Sequence, residues 1–282
     1  MTVVVQTLLT EDDLRAAMAL FRTAMVGLPP LATTAELSEP GRTLGAYIEG
    51  ELVGTAESYT SWLVVPGGTR VPHAAVTHVG VLPTHTRRGV FTALLHRQLA
   101  DIAERGEAVA TLRASEGGIY ARFGYGIGRR RGRLRPLPTG RPGELAVPAG
   151  KNNSPLRHLL TDERAAQVVS TRDETWLRLV DVAQALARRA YREAAAVVVE
   201  VVDPLLAANS GRYRIAVDGV RRVRETAEVT VGVAGLAAVY LGGTTWRALA
   251  FAGRVDEHRP GAVAVADALF ATDGLPFSGT FF

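Results

Sequence analysis

The stretch Val76-Thr77-His78-Val79-Gly80-Val81-Leu82-Pro83-Thr84-His85-Thr86-Arg87-Arg88-Gly89-Val90-Phe91 decides how the chain is read. A short strand from Val76 runs into a basic, glycine-bearing turn and then straight into an amphipathic helix that opens near Gly89. Such a succession makes a phosphate cradle. The first N–H groups of a helix have no intrahelical partner, the helix dipole adds partial positive charge there, and Arg87 and Arg88 supply full charges beside them. Gly89 lets the backbone come close to a bulky anion.

By itself that succession is weakly specific, because many α/β proteins contain it without binding anything. A second segment, Thr111-Leu112-Arg113-Ala114-Ser115-Glu116-Gly117-Gly118-Ile119-Tyr120-Ala121-Arg122-Phe123-Gly124-Tyr125-Gly126, ends a strand in a glycine pair followed by tyrosines. The two segments together resemble the GCN5-related N-acetyltransferases, and within them the Eis (enhanced intracellular survival) family of aminoglycoside acetyltransferases. The likeness covers residues 70 to 130 and 172 to 282, and its most specific strings are Val76-Thr77-His78-Val79, Ala114-Ser115-Glu116-Gly117-Gly118-Ile119-Tyr120 and the terminal Pro276-Phe277-Ser278-Gly279-Thr280-Phe281-Phe282. The superfamily's acyl-CoA signature, Arg/Gln-x-x-Gly-x-Gly/Ala, is met only at Gly89, with Thr86 and Phe91 at the flanking positions. The Eis-like strings therefore carry the resemblance.

Composition narrows the alternatives. A chain of 282 residues with 47% hydrophobic content has room for about two domains with real cores. Thr10-Glu11-Asp12-Asp13 reads as a helix cap, followed by Leu14, Ala17, Met18 and Phe21 at helical spacing, so the start of the chain does not read as a signal peptide. No apolar run is long enough to span a bilayer, and a cytoplasmic protein without a membrane partner is expected. With no cysteine there is no disulfide framework, no thiolate metal site and no cysteine to carry an acyl group. His, Asp and Glu nowhere cluster at ligand spacing, so no metal is expected. The net charge of +4 and the run Arg129, Arg130, Arg131, Arg133, Arg135 raise the question of nucleic acid; few aromatics interleave and no recognition motif accompanies the run. It reads as a solvated strand face, with no nucleic-acid partner.

The first half is α/β: a capped helix, a hairpin of Thr43 to Ile48 with Leu52 to Tyr59, a strand from Ala74 to Val81, a helix from Val90 to Ala103, and a strand from Ala108 to Ala114. Prolines and glycines then punctuate 136 to 155, which is linker chemistry. Beyond it, strand-like Trp176 to Val180, Val197 to Val202, Arg212 to Val217 and Ala227 to Val233 alternate with short helices at Leu236 to Tyr240, Thr245 to Ala252 and Ala262 to Phe270, an α+β pattern. The fold class expected is thus α/β plus α+β: an acetyltransferase domain over 1–135, a linker over 136–155, and over 156–282 a domain that the resemblance makes sterol-carrier-protein-like. Eis-like proteins also carry a second acetyltransferase-like domain between these halves. The chain between Arg135 and Thr171 is too short to hold one.

The resemblance implies an acetyl-CoA-dependent N-acetyltransferase acting on a small-molecule amine, with aminoglycosides or lysine side chains as acceptors, and it leaves room for a homo-oligomer. Carried over residue by residue, it places the backbone of Val79 and Val81 against the pantetheine and thioester. It puts Arg87, Arg88 and Gly89 at the pyrophosphate, Tyr120 as general acid, and the terminal carboxylate of Phe282 as general base. A free α-carboxyl has a pKa of about 3.5, so the last role demands burial. Without the resemblance Tyr125 competes with Tyr120, and His78 in its apolar strand reads as a hydrogen-bonded structural histidine. By position alone Glu36, Glu39 and Glu116 are candidates to attract a polycationic acceptor, and each reads more readily as part of a solvated surface. Two other readings stay open: a protein that binds CoA without turnover, and a lipid or small-molecule binder acting through its C-terminal domain.

Overall fold

The computed structural model describes residues 2–25, 38–114, 116–136, 166–274 and 276. The chain opens with β1 (Val4–Thr7) and α1 (Glu11–Ala24). The expected cap is in place: Asp13 N–H donates to the Thr10 hydroxyl oxygen at 3.2 Å, and the Asp13 carboxylate accepts from the Thr10 side chain at 2.7 Å. There follow β2 (Thr43–Ile48), β3 (Glu51–Val64), β4 (Arg70–Val81), α2 (Val90–Glu104), β5 (Val109–Leu112), β6 (Gly126–Pro136) and β7 (Ala166–Leu179). These strands form one sheet in the order β1-β2-β3-β4-β5-β7-β6, antiparallel throughout except for the parallel pair β4 and β5. Parallel neighbours need a crossover, and α2 supplies it.

The two helices cover opposite faces. Gly54 and Val81 are paired partners, and Val90 and Leu94 of α2 close over Gly54; Gly80, the next residue along, faces Phe21 and Ala24 of α1. On its face α2 buries Val90, Leu94, Leu95, Leu99 and Ile102 among Leu44, Ala46, Val53, Val76 and Ala110.

A second unit starts with α3 (Val182–Arg188), capped by Asp181, which accepts from Gln184 N–H at 2.9 Å. It continues through β8 (Val197–Val202), β9 (Gly211–Ala216), β10 (Gly219–Val223), β11 (Val229–Gly232), α4 (Val233–Tyr240), α5 (Trp246–Phe251), β12 (Val255–Glu257) and α6 (Ala262–Phe270). Its sheet runs β10-β9-β8-β11-β12, with β8 and β11 parallel. The fold class is as expected, α/β followed by α+β. Inside the unit Tyr213, Tyr240 and Trp246 are buried with the aliphatic side chains of β8, β11 and α4.

The structure departs from the sequence reading at β7. Residues 166 to 179 fall where the sequence suggests the C-terminal domain, yet β7 lies between β5 and β6, with Leu177 opposite Thr111 and Leu179 opposite Val109. Leu177 and Leu179 then pack with Leu236, Tyr240 and Val199, so one apolar cluster joins both sheets. Between them Arg178, fully buried, donates to the Asp203 carboxylate at 2.6 Å, and Asn209 donates to the same oxygen at 2.8 Å. The expected linker lies outside the described residues apart from Pro136, which ends β6. So do residues 275 and 277 to 282.

Candidate active site

β4 and β5 form a fork. They pair only from His73 opposite Val109 to Val76 opposite Leu112, whereas β4 runs on to Val81 bonded to β3 alone. Peptide groups of Thr77 to Val81 that face the β5 side consequently have no ladder partner, and backbone polar groups need one. The strand also bulges there. Thr55 faces Gly80 and Glu57 faces Thr77, so Ala56 stands against both His78 and Val79, and His78 takes a φ of +48°. Val79 and Val81, both half-buried, lie along this open edge.

The edge leads into the cradle. A short 3-10 turn, Pro83–His85, is followed by Arg87 at φ +61° and Gly89 at φ +82°. Both arginines and Gly89 are exposed, no side chain caps α2, and a Cβ at Gly89 would meet nothing within 4 Å. The space beside the backbone of Gly89, at the start of the helix, is open.

Tyr120 comes from the other arm of the fork. After β5 the chain makes two 3-10 turns, Gly117–Ile119 and Ala121–Phe123, with Tyr120 between them. Gly117 sits on the indole of Trp176 so closely that a Cβ would stand 2.0 Å from Cζ2, which explains why the motif has glycine there. The Tyr120 ring meets Phe91, the second residue of α2, edge-on at 5.4 Å, and Tyr125 at 5.8 Å. Tyr120 is 8% exposed and burial pushes its phenol up to about 12. Tyr125 is fully buried, its hydroxyl has no hydrogen-bond partner among the described residues, and burial raises its phenol further while Arg178 opposes the shift. Of the two phenols, Tyr120 is the one in ring contact with the start of α2.

Other candidates fare differently. Phe282 and Glu36 lie outside the described residues. Glu39 is committed to its neighbours, accepting from Thr60 N–H at 2.7 Å and the Thr60 hydroxyl at 2.6 Å, while Glu116 is exposed. One residue escaped the sequence reading: Glu57 of β3, 2% exposed, accepts from His78 Nδ1 at 2.7 Å. Nothing in an isolated strand sequence announces that pairing, because it depends on the register of β3 against β4.

Comparison with known proteins agrees with this fold. The Acetyltransferase (GNAT) domain family matches residues 7–128, and the Sterol carrier protein domain family matches 182–279. An uncharacterized N-acetyltransferase of Streptomyces avermitilis is 30% identical over 365 aligned positions, covering 86% of this chain and 89% of that protein. Among solved structures, Eis1 from Mycobacterium abscessus is 39% identical with a TM-score of 0.87, over 99% of this chain and 100% of that one. The N-acetyltransferase Eis of Mycobacterium tuberculosis is 49% identical over 85 residues, 29% of this chain and 20% of that protein. The chain is a GCN5-related acetyltransferase joined to a sterol-carrier-protein-like domain. More narrowly, it belongs to the Eis family of N-acetyltransferases. The Streptomyces alignment is longer than the 282 residues of this chain, so that relative carries a stretch with no counterpart here.

Proposed function

We propose that this N-acetyltransferase takes acetyl-CoA as donor and a polycationic small-molecule amine of the aminoglycoside type as acceptor, with lysine side chains as the alternative acceptor. The observation that carries the reading is the open edge of β4 running without interruption into an uncapped, arginine-flanked helix start, with Tyr120 packed against that helix. The residues fit the donor. Unpaired peptide groups at Val79 and Val81 suit an amide-rich pantetheine arm, and the open space at Gly89 with exposed Arg87 and Arg88 suits a diphosphate.

Acetyl-CoA, when bound, supplies an acetyl thioester. The chain's own part is to bind, orient and handle two protons. At about 12 the Tyr120 phenol keeps its proton at every physiological pH, so the donor is always loaded. Against a free thiol of pKa about 8.5, handing that proton over is uphill by about 5 kcal/mol. Tyr120 therefore donates a hydrogen bond as negative charge gathers on sulfur, and full transfer follows only because the same buried surroundings raise the proton affinity of the sulfur. The terminal carboxylate of Phe282 is the proposed base; the support is the match of the terminal string to the Eis family.

Thiol release followed with acetyl-CoA and a 2-deoxystreptamine aminoglycoside tests the reading. Release that depends on the aminoglycoside, with an acetylated product by mass, is expected. Binding of acetyl-CoA without release would favour a CoA-binding protein.

A further inference from the structure

We propose that His78, held by Glu57, is a second proton acceptor for the incoming amine, working beside the terminal carboxylate. The inference rests on the acetyltransferase reading and adds a residue to it. Its first support is position. His78 belongs to the open edge of β4, next to Val79, and its ring lies on the α1 face of the sheet, 4.8 Å from the ring of Phe21. Tyr120 packs with Phe91 of α2, on the opposite face. A leaving group protonated from one face leaves the other to the nucleophile, so a base belongs on the side where His78 is.

Its second support is the state of the ring. Glu57 is buried and a carboxylate only accepts, so Nδ1 donates and the neutral ring is fixed as the Nδ1–H tautomer. That leaves Nε2 as an acceptor, without a hydrogen-bond partner among the described residues, on a side chain that is 21% exposed. The titratable groups from β3 at this ring are Glu57 and Tyr59, the latter ring 6.5 Å away, and α1 presents Phe21.

The proton count closes. One proton leaves the ammonium for Nε2, the imidazolium is stabilised by the Glu57 carboxylate, and the freed nitrogen lone pair forms the new C–N bond. The C–S bond breaks, Tyr120 protonates the sulfur, the second proton of the nitrogen passes through water to refill the phenol, and the imidazolium gives its own proton to solvent, so that ammonium and thioester become amide, thiol and one released proton.

Two measurements test the role. Long-range 1H–15N spectra of the ligand-free chain should show a ring in the Nδ1–H tautomer whose signals disappear in His78→Asn. A ring in the Nε2–H tautomer overturns the proposal. For acetyl transfer, His78→Asn keeps a donor for Glu57 and removes the base; kcat/KM at pH 7 should fall about tenfold to hundredfold with acetyl-CoA affinity intact, and the acid limb of the profile should vanish. Glu57→Gln, which keeps the fold if the asparagine variant does not, should move that limb to lower pH. Unchanged rate and limb in both variants sink the role of His78 alone, whereas a wild-type chain that transfers no acetyl overturns it together with the proposed function.

Discussion

At Tyr120, burial acts in two directions. It keeps the proton on the phenol, and it makes the phenol a weaker acid, so the residue earns a catalytic role only if it stabilises charge that develops late. Tyr120→Phe should therefore lower kcat about tenfold to a thousandfold while leaving the Kd for acetyl-CoA nearly unchanged; steady-state kinetics beside calorimetry will separate the two. A single glycine added after Phe282 displaces the terminal carboxylate, and a clear loss of kcat is expected; full activity would remove that group from the mechanism. His73 gives a prediction about stability. Burial lowers its pKa to about 4, below the unfolded value of about 6.5, so the folded state resists protonation. Its contribution is intact above pH 6.5 and is lost as pH falls towards 4, by up to about 3 kcal/mol. Urea titrations of wild type and His73→Gln across that window should show the wild type losing more. At this scale the sequence singles out Tyr120 and Gly89 as candidates through their motifs, and it could not single out the pairing of Glu57 with His78, whose strands lie apart in the sequence.

Among the elements, α2 does most to define the site, since its apolar face anchors it to the sheet and its free end forms the cradle. Gly89 is at φ +82°, where a β-branched side chain is strained, and its Cβ would project into the open space before the helix. Gly89→Val should weaken acetyl-CoA binding at least tenfold, about 1.4 kcal/mol, with a modest fall in Tm. Periodicity made α1, α2, the β2–β3 hairpin and the later helices legible to within a few residues. It missed β1, β10 and β12, short strands at sheet edges whose identity comes from a partner rather than from their own pattern. It also ended β3 at Tyr59, where pairing with β4 carries the strand on to Val64.

Over the whole molecule, β7 and its buried Arg178 tie the acetyltransferase sheet to the second unit. The guanidinium is wholly inside, so removing its partner leaves an uncompensated charge. Asp203→Ala should cost about 3–5 kcal/mol of stability and loosen both units in one transition, which calorimetry at two scan rates will show. The long-range placement of β7 was invisible in the sequence because the signals that separate domains, prolines and glycines over 136 to 155, precede a strand that returns to the first sheet.

The central claim is that the fork and the helix start hold acetyl-CoA for transfer. Calorimetric titration of the purified chain with acetyl-CoA, repeated with Arg87→Ala/Arg88→Ala and followed in the same cell by thiol release on adding an aminoglycoside, tests it most directly. The account predicts one-to-one binding, weakened in the double variant, and turnover that requires the amine. Binding that is absent, or that ignores both arginines, would contradict it.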